Sequence, residues 1–457
     1  MAEPRIRSIL SRLVSDYGMF FVLLLLCCYY SWVTYDEQHP TGAAAAEQLA
    51  KQITRQFAKN SNVLIVARDS NEDGTFADLL RAQLRGEGFS VIETVKGQPS
   101  DARNAIQRLT DAGVRVDVIA CNQATAGWAV MENLGSKFPS LASVKIVQPQ
   151  SYRWPNFLKT DNLLNVANQI AVIAIIAIGM TTVIITAGID LSVGSLIALS
   201  AVVSTLLIRD LAGAEQASAL AMTACGLAGI AVCAAIGCFS GLMVTTFAIP
   251  AFIATLGMML VASGFAYIFA KGQSIYQVPD AFVWLGRGGK MGVPNAVILM
   301  IVLYLIAHVL MTHTTLGRYI YAIGGNTEAA RLSGVPVKRI LVFVYTMSGA
   351  LAGLGGVVMA SQLKSGSPTY GGMYELYVIA AVVVGGTSLA GGEGKVLGTL
   401  IGAFIIAVIQ NGMNLTGVES YTQKVVLGLV ILGAVLVDTR KKSGWNWLRF
   451  RAAKIND

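Results

Sequence analysis

Apolar residues in this chain gather into long unbroken runs, and those at 17–32, 169–186, 191–208, 217–245, 251–270, 295–311, 340–359, 376–389, 396–410 and 425–437 are candidates to cross a bilayer. A helix needs roughly 17 to 25 such residues to span the hydrocarbon core, so the pattern predicts an all-α polytopic membrane protein of about ten transmembrane helices. One long stretch interrupts it. Between 36 and 158, short β-like runs (63–67, 90–95, 116–120, 144–147) alternate with helix-like ones (76–85, 102–112, 126–134), after an alanine-rich helix at 43–59. That βαβ order predicts a parallel sheet with covering helices, a small α/β insert of one lobe.

Charge sets the topology. The 457 residues are 54% hydrophobic and only 13% charged, and the stretch from 36 to 158 carries 13 Lys or Arg against 13 Asp or Glu. The net charge of +8 therefore lies in the apolar part and its tails. Arg5, Arg7 and Arg12 precede the first run, and Arg440, Lys441, Lys442, Arg449, Arg451 and Lys454 follow the last. By the positive-inside rule both ends are cytoplasmic, as an even number of crossings requires, and the insert is extracytoplasmic. This basic excess is topology and implies no nucleic-acid partner. The first run lacks a small-residue cleavage site before Asp36, so it reads as a retained anchor. The expected domains are thus 1–35, cytoplasmic N-terminus and anchor; 36–158, the insert; 159–442, the transmembrane domain with a cytoplasmic loop at 313–339; and 443–457, a basic cytoplasmic tail. Cys27, Cys28, Cys225, Cys233 and Cys238 lie in apolar runs and Cys121 stands alone in the insert, which excludes a disulfide framework.

Three polar segments carry candidate function. The first is TLGRYIYAIGGNTEAARLSGVPVKR, wedged between two membrane runs. Asn326 can N-cap a short helix with Glu328 in its first turn, Ala329, Ala330 and Arg331 completing it, and Gly334 and Pro336 ending it. It is either a docking helix for a soluble motor domain or an ordinary basic loop. The second, AGIDLSVGS, joins two runs with almost no loop. Asp190 there is either the N-cap of a helix starting at Leu191 or, with Ser192, Gly194 and Ser195, part of a pore or gate, since polar groups in hydrocarbon are costly. The third, GGTSLAGGEGK, matches a phosphate loop only superficially, because Val396 follows Lys395 and Leu389 occupies the first glycine position. Gly385, Gly386, Thr387 and Ser388 are then gate candidates where helices cross, or a tight turn. The many other glycines of the apolar part are expected to serve close packing.

Enzyme chemistry finds no support. His308 and His313 have no Cys or carboxylate at metal-ligand spacing, and no nucleophile triad or HExxH run occurs, so no catalytic, metal or cofactor residues are assigned. The intramembrane charges of a proton-coupled carrier are also missing, which points to energy supplied by another chain.

The segments Asn162-Leu163-Leu164-Asn165, GMTTVIITAGIDLSVGS, GRYIYAIGGNTEAARLSGVPV and VVVGGTSLAGGEGKVLGT occur in an order that resembles the permease subunits of bacterial ATP-binding-cassette importers for ribose, xylose, galactose and related sugars. The resemblance covers about 162–442. It implies a multi-pass subunit of the bacterial inner membrane that carries a monosaccharide or related polyol by alternating access. The implied partners are a second permease subunit, identical or not, a cytosolic ATPase that uses the ATP, a periplasmic sugar-binding protein and membrane lipid. Asn326, Glu328, Ala329, Ala330, Arg331 and Gly334 would couple to the ATPase. The insert is the departure: VLIVARDSNEDGTFADLLRAQLRGEGFSVIE and VDVIACNQATAGWAVMENL resemble one lobe of the sugar-binding proteins. Asp69, Asn122 and Gln123, at strand ends, are its candidate ligand positions, and docking of a separate binding protein ranks ahead of binding sugar. The rival readings are an ion-gradient-driven transporter and a receptor that senses sugar through the insert.

Overall fold

The computed structural model describes residues 3–290 and 292–442, so the basic tail at 443–457 lies outside the described residues. The chain divides into two compact units, one formed by Tyr35–Pro155 and the other by the rest.

The sequence opens with helix α1 (Glu3–Val33). Its far end seats on the larger unit: the Tyr30 ring packs against Phe157 and occupies the space beside Gly412, where a Cβ would collide with it.

In the smaller unit, β1 (Tyr35–Gln38) pairs antiparallel with β6 (Tyr152–Pro155), so the segment enters and leaves at one point. Between them run α2 (Gly42–Gln56), β2 (Asn62–Arg68), α3 (Asn71–Gly86), β3 (Ser90–Gly97), α4 (Pro99–Asp111), β4 (Val118–Cys121), the single-turn helices α5 (Gln123–Ala126), α6 (Ala129–Glu132) and α7 (Leu134–Lys137), and β5 (Lys145–Val147). Strands β2 to β5 form a parallel sheet in the order β3-β2-β4-β5. The sequence explains the centre: Val63 to Ala67 and Val118 to Cys121 are continuous apolar runs, buried on both faces as an interior parallel strand requires. Leu49, Ile53, Phe76 and Leu80 cover one face, and Ile106, Met131 and Leu134 the other. Two expectations are corrected. The helix expected at 126–134 is three separate turns, interrupted at Gly127–Trp128 and at Asn133. Helix α3 starts at Asn71, not 76, because Ser70 Oγ accepts the Asp73 amide at 3.2 Å and caps it.

The larger unit continues with α8 (Thr160–Ile185), α9 (Val193–Asp210), α10 (Ala219–Thr246), α11 (Ala251–Ala270), α12 (Asn295–His313), α13 (Thr315–Gly325), α14 (Thr327–Leu332), α15 (Val337–Leu363), α16 (Tyr374–Val384), α17 (Val396–Leu415) and α18 (Ser420–Lys442). Among the described residues, 7 helices are long and apolar enough to cross a membrane, and the protein is a mostly helical, polytopic membrane protein. The other expected spans are shorter apolar helices: Gly18–Val33, Tyr374–Val384 and Ser420–Leu436. Helix α8 is the central post, buried over 89% of its apolar window, whereas α10 is buried over only 28% and faces outward. The run expected at 376–389 is cut short at Val384, where Gly385 caps the helix and Gly386 turns to φ +88.

Helices α10 and α15 bring backbone against backbone at Gly237 and Gly349. A Cβ at Gly237 would fall on the Tyr345 carbonyl, and one at Gly349 on the Cys233 carbonyl. In lipid, where burying apolar area drives little association, this backbone approach supplies dispersion contact. Gly349→Val is therefore expected to cost at least about 1–3 kcal/mol, because backbone must move, and to lower the monodisperse fraction on size exclusion after mild detergent extraction. Gly264→Ala, with open space around it, should leave that fraction unchanged.

Candidate functional site

Helix α8 ends at Ile185, and Ala187 follows in the left-handed region at φ +60. The next residues hold a buried carboxylate. Asp190 is 1% exposed. Its Oδ1 accepts the Ser192 amide at 3.0 Å and the Ser192 hydroxyl at 2.6 Å, and its Oδ2 accepts the Ser348 hydroxyl of α15 at 2.8 Å. Asp190 is thus not the cap of α9. That helix begins at Val193 with Ser192 in the cap position, and Asp190 closes a local turn and clasps α15 instead. Tyr345, one turn before Ser348, lays its hydroxyl over Gly188, where no Cβ would fit. Gly194 faces the Glu375 carboxylate and the Gly371 carbonyl, and Ser195 follows it half-buried.

The glycine-rich loop after α16 packs against the same region. Gly392 N donates to Ile185 O at 2.9 Å, and Tyr321 Oη of α13 donates to Gly394 O at 2.7 Å. Gly324, near the end of α13, lies so close to Ile185 O and Gly392 N that any side chain would overlap them. Gly391 at φ +83 and Gly392 at φ +75 supply a backbone path that other residues adopt at a cost. Thr387 and Ser388 are buried beneath it, with Thr387 against Gly394, and Gly385 rests on Gly398 and Thr399 of α17. The ends of α8 and α13 and the glycine loop therefore meet at one backbone junction, next to the Asp190 clasp.

The expected cytoplasmic loop is largely helical. Thr314 Oγ1 accepts the Gly317 amide at 3.2 Å and starts α13, which buries Ile320 and Ile323; the sequence reading missed this helix. Asn326 then caps α14, its Oδ1 accepting the Ala329 amide at 2.9 Å, and Gly334 ends the turn at φ +85. Ala330 points inward and is buried, whereas Glu328, Ala329, Arg331 and Gly334 are exposed. Arg331 pairs with Glu328 at 2.8 Å, and Leu332 beside them is 79% exposed. The sequence reading did not single out Leu332, whose exposure on a capped polar helix only the fold shows.

A family profile described as "Branched-chain amino acid transport system / permease component" matches residues 162–435, more than half of the chain and every segment of this junction. The chain belongs to this permease family. The ribose import permease protein RbsC of Escherichia coli strain K12 is 47% identical over 292 residues, 63% of this chain and 88% of the relative. That of Bacillus subtilis strain 168 is 43% identical over 317 residues, 69% of this chain and 94% of the relative. The D-allose transport system permease protein AlsC of Escherichia coli strain K12 is 37% identical over 282 residues, 62% and 84% respectively. No solved structure matches the chain.

The α/β unit lies outside the residues that the permease profile matches. Its three candidate positions follow the ends of the paired strands β2 and β4 and differ in surroundings. Asp69 is exposed at the end of β2, while Asn122 is buried with its Oδ1 accepting the Thr125 amide and hydroxyl, both at 2.9 Å. Gln123 lines a separate polar groove with His39, Gln52, Lys145 and Gln148. Burial pushes the Cys121 thiol up to about 12, leaving it inert. Among the described residues, no group of three or more His, Cys, Asp or Glu is placed to hold a metal.

The clasp predicts a graded response. Asp190→Ala strands the Ser192 amide and both serine hydroxyls, and unfolding in detergent should show a loss of about 1–3 kcal/mol. Ser348→Ala removes one donor and should cost less. Equal melting of both variants and the parent would contradict the clasp.

Proposed function

We propose that this permease is the membrane subunit of an ATP-binding-cassette importer that carries a neutral monosaccharide, with ribose or allose as the first candidates from what its relatives are named for. The observation that carries the mechanism is the backbone junction of Ile185, Gly324 and Gly392. A partner ATPase grips α14 through Glu328, Ala329, Arg331, Leu332 and Gly334. Only Asn326 separates α14 from α13, so displacement of α14 carries Tyr321 and Gly324 with it. These press on Ile185 and on Gly392 to Gly394, and the segment from 186 to 192 re-aims α9 as the Asp190–Ser348 clasp opens or tightens. The two interrupted crossings thus become the gates. Bistable packing of this kind converts a small shift at one end into a discrete change at the other.

In this reading the 7 long helices and the three shorter apolar ones make ten crossings. Both termini and α14 then face the cytoplasm, and the α/β unit faces outward, where it docks an external sugar-binding protein. A second permease subunit, another copy or a relative, completes the pore. The buried Asp190 corrects the expectation that the membrane part lacks ionisable groups, but its partners are two serines and not a basic residue, so it forms no charge pair of the kind an ion-gradient carrier would need. A receptor would leave the capped α14 without a task.

Reconstitution with the cognate ATPase and binding protein tests the reading through ATP-dependent accumulation of ribose or allose. Leu332→Asp is expected to lower recovery of the ATPase with the tagged permease about tenfold, equivalent to about 1.4 kcal/mol. Arg331→Ala should lower ATP-driven uptake by a similar factor. Undiminished ATPase recovery and uptake in both variants would refute the assignment of α14.

A further inference from the structure

The crossing that ends in α16 is helical over only 11 residues, and the chain before it takes an unusual course. After α15 ends at Leu363, residues 364–373 form turns and one isolated bridge, in which the Gly366 and Ile275 amides donate to each other's carbonyls at 2.9 and 2.8 Å. This segment does not pass over the end of α9. Gly366 lies against Ala201 and Thr205, Gly371 against Gly194 and Ile197, and the Glu375 carboxylate against Gly194. The contacts thus descend from Thr205 to Gly194, about 16 Å along the axis at 1.5 Å per residue. Helix α9 is itself one of the membrane-length helices. The turns at 364–373 therefore lie at membrane depth.

Irregular backbone is tolerated at that depth only where protein buries it or where it lines a watery cavity, because lipid offers its amides and carbonyls no partners. Protein buries one side of the segment, and the other side is accessible. Ser365 and Ser367 are buried, bonded to Tyr370 Oη at 2.5 Å and Thr369 Oγ1 at 3.0 Å. Thr369 and Gly372 are exposed, and Tyr370, Tyr374 and Glu375 are half-exposed. Among the described residues, no Lys, Arg or His forms an ion pair with Glu375. A carboxylate and an unwound backbone facing lipid would be costly.

We propose that the unwound segment 365–373, together with Glu375, is the wall of the translocation pathway that holds the sugar's hydroxyl groups. The inference rests on the import reading above. The surface suits a neutral polyol: a carboxylate with no ion-pair partner accepts from hydroxyls, Thr369 both donates and accepts, and the two tyrosine rings offer faces to the ligand's C–H groups. An interrupted membrane helix whose unwound half supplies polar backbone is a structural pointer to a substrate site.

Two measurements on the assembled importer in membrane vesicles test this. Thr369→Cys and Gly372→Cys should react with a membrane-impermeant methanethiosulfonate about tenfold faster than Ile301→Cys, on the exposed face of α12, and excess ribose or allose should slow them. Glu375→Gln should raise the half-saturating sugar concentration for ATP-driven uptake about tenfold. If the parent imports sugar, yet 369 and 372 label no faster than 301 or Glu375→Gln is silent, the inference fails and the import reading stands. If 369 and 372 label rapidly but neither sugar is imported or slows labelling, the aqueous wall stands and the sugar assignment fails.

Discussion

The proposed mechanism depends on backbone touching backbone at Gly324, Ile185 and Gly392. A side chain at 324 would separate α13 from α8 and from the glycine loop, and the short α14 beyond it would lose its firm connection to the membrane helices. Glycine and alanine at helix crossings are ordinary in membrane proteins. Here the contact joins three irregular segments, not two helix faces, so it brings loop amides and carbonyls into hydrogen-bonding range of a helix end. That converts a close approach into a specific one.

The Asp190 clasp lies next to this junction and has the opposite chemistry. A desolvated carboxylate is tolerable because an amide and two hydroxyls satisfy it, one of them from α15. Breaking the Ser348 bond would leave one buried carboxyl oxygen short of a partner, so the clasp ties this turn to α15. Glu375 lies across Gly194 on the same helix start, which places Asp190 and Glu375 at the same end of α9.

Much of this was legible in the residues. Asn326, Glu328 and Gly334 announce α14 through cap and stop chemistry that is local and therefore readable, and the apolar runs locate most long helices to within a few residues, whereas α1 and α8 begin well before their runs, at Glu3 and Thr160. What escaped was set by distant partners. Asp190 looks like a cap from its neighbours alone, and only the position of Ser348, 158 residues away, shows where its second oxygen goes. Helix α13 was missed although Leu316, Ile320 and Ile323 of TLGRYIYAIGG fall at helical spacing, because the stretch was read together with the polar segment that follows it. The early end of α16 follows from Gly385 packing on α17, and the split of the expected 126–134 helix from glycine and asparagine at its breaks. The meeting of the three motifs has no signature in any one of them.

The most direct test of the junction is the smallest change to it. Tyr321→Phe removes only the hydroxyl that donates to Gly394 O at 2.7 Å, leaving α14 and its exposed face intact. In proteoliposomes with the partner ATPase, ATP hydrolysis and sugar accumulation would be measured on the same preparation. The account predicts continued hydrolysis with fewer sugars moved per ATP. An unchanged ratio would mean that motion of α14 reaches the gates by another route.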